Sequence, residues 1–301
     1  MKPHVVWTQW EDLKIPDGIQ RLSPSSAPLD ADNLGEITFF VPAYMTGRKG
    51  LLPISRMPKL QVVQLPYAGY EKALEFMRPG MILCNAQGVH DDSTAELAVG
   101  LAIASLRGFP NFLRHQFLGE WVSENHKSLS DSKIGIVGFG SIGRRIKENL
   151  SGFTVEVVAF TRSGSDGSKK MSELDSELPH LDVVILSMPL NSESLHLFDA
   201  KRLARMKDGA LLVNVARGQV VDTDALVAEL NSGRILAALD VTDPEPLPKG
   251  HPLWSAKGVL ISPHVGGDST AFEPRFRKLL EEQLQRLVNA ELLENIVYTG
   301  R

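Results

Sequence analysis

A glycine-rich stretch near the middle of the chain constrains the fold more than any other feature. It opens with the apolar run Lys133–Val137, typical of a strand buried on both faces. Gly138, Gly140 and Gly143 follow as G-x-G-x-x-G, and residues 141–150 show the apolar spacing of a helix. The glycines suit a tight turn, the approach of a pyrophosphate and close helix–sheet packing. Because a strand precedes them and a helix follows, we predict a dinucleotide site.

The overall composition excludes several classes of protein. The 301 residues, 43% hydrophobic with a net charge of −4, are sufficient for two domains of ordinary size and provide no basic surface for nucleic acid or a membrane. The chain contains no apolar run of about 18 residues and no signal-peptide pattern, so we expect a cytoplasmic protein. The single cysteine, Cys84, lies in an apolar run and is interpreted as a buried structural thiol. No metal site is expected.

Strands and helices alternate along most of the chain. Before the glycine turn, strands are predicted at residues 5–7, 37–41, 60–65 and 81–85, followed by a helix whose capping box is Ser93 and Glu96. After it, strands are predicted at residues 155–160, 183–187, 210–215, 236–239 and 258–261, and helices at 199–206, 223–232 and 271–293. This alternation predicts a parallel, doubly wound sheet with right-handed crossovers.

The domain boundaries are predicted from the same pattern. We assign residues 98–269 to a dinucleotide-binding domain. Residues 1–97 and 270–301 are assigned to a discontinuous substrate domain, because a helix at the far end of such a chain often returns to pack on the first domain.

The residues after the second strand of the dinucleotide unit bear on the choice of cofactor. NAD sites commonly have an acidic residue about 20 positions after the first glycine, but Thr161 stands there. Arg162, with the hydroxyl groups of Thr161 and Ser163, suits a 2′-phosphate, which requires a cation and hydrogen-bond donors. We therefore predict that NADP(H) is preferred and that NAD(H) is possible. Lys169 and Lys170 would contribute only from a flexible loop, and the alternative is that Arg162 is simply solvated.

Three stretches at the ends of later strands contain groups suited to one reaction. Arg217 offers two parallel N–H donors to a carboxylate and a neighbouring carbonyl. Glu245 near His264 would favour the imidazolium, which delivers a proton near neutral pH. Each residue alone has an ordinary structural explanation, but the three follow successive strands whose carboxyl ends line a ligand crevice. A cation, an acid–base histidine and a hydride carrier are what the reduction of a 2-keto acid requires.

Several motifs in the same order resemble the D-isomer-specific 2-hydroxyacid dehydrogenase family. They cover nearly the whole chain: the glycine turn, Ser187-Met-Pro-Leu190, Asn214-Val-Ala-Arg-Gly218, Asp240…Glu245-Pro246 and Pro263-His264-Val-Gly-Gly267. The resemblance implies an α/β fold in which a Rossmann-type doubly wound domain is inserted in a smaller, flavodoxin-like substrate domain. It also implies a homodimer and a site in the cleft between the domains.

The resemblance also implies roles for individual residues. Arg217, Glu245 and His264 match the family's catalytic residues, and Asp240 matches the position beside the nicotinamide carboxamide. The expected cofactor contacts are Gly138, Phe139, Gly140, Ser141, Ile142, Gly143, Thr161, Arg162, Ser163, Met188, Pro189, Val215, Ala216, Asp240, His264 and Gly266. The expected substrate contacts are Tyr44, Met45, Tyr67, Ala68, Gly69, Arg217 and His264, where Tyr67-Ala-Gly-Tyr70 matches the loop whose backbone amides hold the substrate carboxylate.

The chain departs from the family pattern at two positions, and the second departure bears on the expected function. Thr242 stands where an aromatic residue is frequent, and the acidic residue missing at Thr161 is typical of the NADP-using glyoxylate and hydroxypyruvate reductases. Formate dehydrogenases of the family have glutamine where this chain has Glu245. Two alternatives stay open: an enzyme like phosphoglycerate dehydrogenase, with Arg48 and Lys49 as phosphate ligands, and a nucleotide-sensing corepressor of the same fold.

Overall fold

The computed structural model describes residues 4–30 and 32–300, and the chain divides into two compact units. The first unit comprises the chain up to His90 and from Thr270 onward, and the second comprises Asp91–Ser269. The sequence places the first boundary seven residues later, between 97 and 98. The difference arises because residues 91–106 form one helix, whose buried apolar side chains all belong to the core of the second unit.

The strands and helices are numbered in chain order. The strands are β1 (His4–Trp7), β2 (Ile19–Leu22), β3 (Phe39–Phe40), β4 (Val62–Gln64), β5 (Ile82–Cys84), β6 (Lys133–Val137), β7 (Glu156–Thr161), β8 (Lys169–Lys170), β9 (Val183–Leu186), β10 (Leu211–Asn214), β11 (Leu236–Leu239), β12 (Val259–Ile261) and β13 (Ile296–Thr299). The α-helices are α1 (Asp91–Leu106), α2 (Phe109–Leu118), α3 (Ser141–Asn149), α4 (Leu174–Glu177), α5 (Ala200–Arg205), α6 (Thr223–Ser232) and α7 (Phe272–Val288).

The first unit is built on a six-stranded sheet in the order β13-β5-β4-β3-β1-β2. Its first five strands are parallel in the order typical of flavodoxin, and β13 joins antiparallel to β5. Successive residues of β1 face opposite sides: Trp7 packs against Phe40 in one core, and Val6 belongs to the core that includes Phe276 of α7. Cys84 is buried there, and burial raises the pKa of its thiol to about 12, consistent with a structural cysteine.

The second unit is a seven-stranded parallel sheet in the order β12-β11-β10-β9-β6-β7-β8. The helices cover both faces. α1 and α3 contribute Ala98 and Ile146 to one core, whereas α5 and α6 contribute Leu203 and Leu226 to the other. This doubly wound arrangement, with a mixed-sheet unit formed by the flanking segments, confirms the predicted fold class.

Several local predictions are wrong. α1 begins at Asp91, so Ser93 lies inside the first turn, bonding to the Ser269 hydroxyl at 2.7 Å instead of capping the helix. Lys169 and Lys170 form a short edge strand paired with β7 rather than a flexible loop. The last helix ends at Val288, five residues before its predicted end.

Within the described residues, no helix combines the length and apolar content needed to cross a membrane.

Candidate active site

Three neighbouring strands of the second unit bring the predicted acid–base residues to one edge of the sheet. β10, β11 and β12 are adjacent and parallel, so their carboxyl ends meet at the same edge. Arg217 follows β10, Glu245 follows β11 and His264 follows β12. The topology therefore brings together segments that are separated by 47 residues of chain between Arg217 and His264 (264 − 217).

His264 and Glu245 form a direct pair. The Nδ1 atom of His264 lies 2.6 Å from Oε1 of Glu245, and both side chains are about two-fifths exposed. A carboxylate at Nδ1 fixes the orientation of the ring and accepts the hydrogen on that nitrogen. The second ring nitrogen, Nε2, is then the atom that can exchange a proton with a ligand. This pair is the arrangement that the sequence predicts.

Asp240 organises the loop that contains His264. Its buried carboxylate accepts hydrogen bonds from the Ser262 hydroxyl at 2.7 Å and from the backbone amides of Val265 and Gly266, both at 2.9 Å. Its carbonyl accepts from the amide of His264 at 2.7 Å. His264 has a φ of +55°, a conformation that is uncommon for a residue with a side chain, and these bonds on both sides hold it there.

The turn that contains Arg217 is held in a similar way by Asn214, at the end of β10. The Asn214 side chain accepts from the amide of Ala216 and donates to the carbonyl of Arg217, both at 3.0 Å. The Arg217 guanidinium donates to the Ala216 carbonyl at 2.7 Å. Gly218 lies so close to the Thr242 carbonyl that a Cβ atom there would overlap it. The arginine turn therefore packs against the start of the segment that leads to Glu245.

The glycine turn between β6 and α3 is packed as tightly as the motif implies. Gly138 has a φ of +94°, and a Cβ on it would approach the Met188 amide nitrogen to 2.6 Å. A Cβ on Gly143 would overlap the carbonyl oxygen of Gly138. That same carbonyl accepts a hydrogen bond from the Ser187 hydroxyl at 2.7 Å. Only hydrogen fits at these two positions, and Ser187 locks the turn to the end of β9.

The start of α3 can hold the phosphates of a dinucleotide. Gly140 is its N-terminal flanking residue, and no side chain in the described part of the chain caps this end. A Cβ on Gly140 would have no atom within 4 Å, so the space beside it is open. Uncapped amides and the helix dipole favour a negatively charged group at such a position. The residues at this turn therefore fit a dinucleotide.

The predicted 2′-phosphate residues lie at the end of β7 and have existing partners. The Thr161 hydroxyl accepts from the amides of Gly164 and Ser165, at 3.0 and 3.2 Å, and so shapes the loop that follows. Arg162 is 83% exposed and pairs with Glu193. Lys169 pairs with Glu177. Arg162 is therefore more exposed than Lys169, whose side chain is 41% exposed.

The predicted substrate residues other than Arg217 and His264 all belong to the first unit. Tyr44 stacks on Phe272 with ring centroids 3.8 Å apart, and Met45 is exposed with a φ of +59°. Tyr67, Ala68 and Gly69 form the turn that follows β4, and burial raises the pKa of Tyr67. Tyr44 is thus part of an aromatic stack within the first unit.

The sequence prediction missed three residues that hold the site together. Asn214 and Ser187 lie within motifs quoted from the sequence and Ser262 directly precedes one, but the motifs do not report that their side chains bind the Arg217 turn, the Gly138 carbonyl and the Asp240 carboxylate. Among the described residues, no group of three or more His, Cys, Asp or Glu side chains is placed to hold a metal ion.

The fold and the site together define an NAD(P)-dependent oxidoreductase. Residues 99–266, more than half of the chain, match the family model described as D-isomer specific 2-hydroxyacid dehydrogenase, NAD binding domain. The chain belongs to this family. The match extends from within α1 to Gly266, and so includes the glycine turn and the histidine–glutamate pair.

Relatives and solved structures agree with this membership. Glyoxylate reductase from Thermofilum pendens is 32% identical over 250 residues, which is 78% of this chain and 74% of that protein. A D-isomer specific 2-hydroxyacid dehydrogenase from Xanthobacter autotrophicus, in complex with NADPH, is 25% identical with a TM-score of 0.77 and covers 99% of this chain and 98% of its own. An NAD-dependent formate dehydrogenase from Staphylococcus aureus, in complex with NAD, is 26% identical with a TM-score of 0.76. It covers 99% of this chain and 100% of its own.

Proposed function

We propose that this protein reduces small 2-keto acids such as glyoxylate or hydroxypyruvate to 2-hydroxy acids, with NADPH as the preferred reductant. The observation that carries the proposal is the 2.6 Å pair of His264 and Glu245 at the strand edge that also presents Arg217. A formate oxidation site has no need of a proton donor paired with a carboxylate, because formate oxidation delivers no proton to a carbonyl oxygen. The similarity to glyoxylate reductases supports the same substrate class.

The proposed mechanism assigns each residue one task. When bound at the glycine turn, the nicotinamide cofactor supplies a hydride for the C2 carbon. Arg217 binds the substrate carboxylate and the C2 carbonyl oxygen through parallel N–H donors, and its charge stabilises the negative charge that develops on this oxygen. His264 gives the oxygen a proton from Nε2, which completes the conversion of C=O to CH–OH. Glu245 holds the ring and balances the imidazolium charge before transfer.

The first test of the function is a panel of keto acids. Glyoxylate, hydroxypyruvate, pyruvate and 3-phosphohydroxypyruvate are each assayed with NADPH and with NADH by absorbance. Fast turnover of glyoxylate or hydroxypyruvate supports the proposal, and no turnover of any keto acid contradicts it. A preference for 3-phosphohydroxypyruvate would support the phosphoglycerate alternative, in which Arg48 would exchange its bidentate partner Glu75, at 2.8 and 2.9 Å, for the substrate phosphate.

The proposed preference for NADPH rests on Arg162, whose present partner is the exposed carboxylate of Glu193. No carboxylate stands at residue 161 to repel a 2′-phosphate, and Arg162 is highly exposed. An exposed ion pair contributes at most about 1 kcal/mol. A 2′-phosphate carries more negative charge than Glu193 and accepts bidentate bonds, so we expect it to replace Glu193 as the partner of Arg162.

Replacing Arg162 with alanine is expected to affect NADPH selectively. Loss of a charge-assisted hydrogen bond to a phosphate, worth roughly 1.5–3 kcal/mol, raises the KM for NADPH by roughly tenfold or more. The KM for NADH is expected to change less than about twofold, because NADH lacks this phosphate. Steady-state kinetics with both cofactors measures the ratio, and Arg205→Ala, an exposed arginine on α5, is the control. If the KM values for NADPH and NADH changed equally, Arg162 would have no role in discriminating between the two cofactors.

We also propose that the protein is a homodimer, as the family resemblance implies. The surface of α2 and the residues just after it is unusually apolar: Phe117 is 90% exposed, Trp121 is fully exposed, and Leu113 and Leu118 are each more than half exposed. Exposed apolar residues clustered in this way are typical of a protein–protein interface. Light scattering coupled to size exclusion tests the proposal, and a monomer at micromolar concentration would contradict it.

A further inference from the structure

The turn that follows β4 has its carbonyl groups bound by a single nearby segment. Residues 85–90, which follow β5, donate a hydrogen bond to each of three successive carbonyls in this turn. The side chain of His90 lies 3.0 Å from the carbonyl of Pro66, the amide of Ala86 donates to that of Tyr67 at 3.0 Å, and the Asn85 side chain donates to that of Ala68 at 2.7 Å. Each of these three carbonyls therefore has a hydrogen-bond donor.

The amide side of the same turn has no such partners. A trans peptide is planar, so its N–H points away from the direction of its C=O. The peptide bond between Ala68 and Gly69 is trans, and Asn85 binds its oxygen, so the Gly69 N–H faces away from Asn85. No residue in the described part of the chain accepts the amide hydrogens of Ala68 or Gly69. Two adjacent N–H groups are thus directed outward, in the manner of an anion-binding concavity.

We propose that Asn85 is a positioning residue that keeps these amides directed toward the substrate carboxylate. The inference rests on the proposed function and on the expectation from the family resemblance that the amides of Ala68 and Gly69 help Arg217 to hold that carboxylate. Without the bond from Asn85, the Ala68–Gly69 peptide is free to rotate. A rotated peptide presents the Ala68 carbonyl oxygen where the carboxylate binds, and the two negative groups repel each other.

Asn85 is well suited to this task because it is itself held on several sides. Asn85 is 5% exposed. Its backbone N–H donates to the Asn295 carbonyl at 3.0 Å, and its side-chain Oδ1 accepts from the backbone N–H of Gln87 at 3.2 Å. The buried side chain of Gln64 donates to the Asn85 carbonyl at 2.9 Å, and Gln283 of α7 donates to Gln64 at 2.9 Å. Buried, satisfied networks of this kind are rigid, so the Asn85 side chain has little freedom to turn away.

The test compares two asparagine-to-aspartate variants assayed above neutral pH. Asn85→Asp keeps the acceptor for Gln87 but loses the donor to Ala68. Asn289→Asp is the matched control: Asn289 is exposed at the end of α7 in the same unit, and aspartate there keeps the acceptor for Gln285 but loses the donor to Glu291. We expect Asn85→Asp to raise the KM for glyoxylate roughly tenfold or more, with the KM for NADPH unchanged. Asn289→Asp is expected to leave both values near those of the wild type.

Equal KM values for glyoxylate in the two variants would overturn the inference. Asn85→Ala, which adds no charge, replaces Asn85→Asp if the aspartate variant does not fold, and the same outcomes apply to it. Lack of turnover by the wild-type enzyme would instead contradict the proposed function. In that case a crystal structure of the variant decides: a rotated Ala68–Gly69 peptide supports the positioning role, and the wild-type orientation overturns it.

Discussion

Replacing His264 with alanine is expected to lower kcat by about 100- to 10,000-fold, the range typical of a lost general acid. The alanine variant has no group to protonate the C2 oxygen, and the Glu245 carboxylate is left without the ring it pairs with at 2.6 Å. Binding of NADPH is expected to survive, because the glycine turn is built by other residues. Stopped-flow or steady-state kinetics with glyoxylate measures the change in kcat, and a separate NADPH fluorescence titration measures cofactor binding.

A second histidine provides the control for this experiment. His251, in the same unit, accepts a hydrogen bond from the amide of Leu253 and so serves a local turn. His251→Ala is expected to keep a kcat within about twofold of the wild type, which would show that losing a histidine is not damaging in itself. Activity of His264→Ala equal to that of the wild type would remove His264 from the mechanism.

Replacing Gly143 with alanine is expected to destabilise the second unit by about 3 kcal/mol and to abolish dinucleotide binding. The new Cβ would overlap the Gly138 carbonyl and lie 3.2 Å from the Ser187 hydroxyl, and the first of these is a backbone atom that cannot move without deforming the turn. The free energy of unfolding is measured with urea, and NADPH binding by fluorescence.

Gly100→Ala is the matched control. Gly100 lies inside α1, and a Cβ there would meet no atom within 4 Å. Because alanine is the better helix former, this variant is expected to gain roughly 0.5–1 kcal/mol. Wild-type stability in Gly143→Ala would show that the turn is looser than the structure indicates.

The ease of predicting each strand follows from its environment. The central strands of the second unit were predicted to within one residue, because continuous apolar runs such as Val183–Leu186 are the direct result of burial on both faces. β2 was missed because its two middle residues are exposed and polar, as expected at a sheet edge. The start of α1 was misplaced because Asp91, Asp92 and Ser93 are all residues that favour helix starts, and the sequence does not choose among them.

The site shows a similar division between local and tertiary information. The pairing of His264 with Glu245 was predictable, since both residues follow strands that a parallel sheet places side by side. The bonds that Asp240 makes to the histidine loop, and that Asn85 makes to the turn after β4, were not predictable. These bonds join side chains to backbone groups 17 or more residues away, and no periodicity in the sequence reports such distances.

The two carboxylates near His264 contact different parts of its loop. Asp240 fixes the backbone of the 262–266 loop, whereas Glu245 contacts the ring of the histidine in this loop. The residues from Thr242 to Pro244 are therefore open to variation, because changes there leave the course of the histidine backbone to Asp240 and the pairing of its ring to Glu245. With such a division, the residues before Glu245 can diversify while His264 keeps its place.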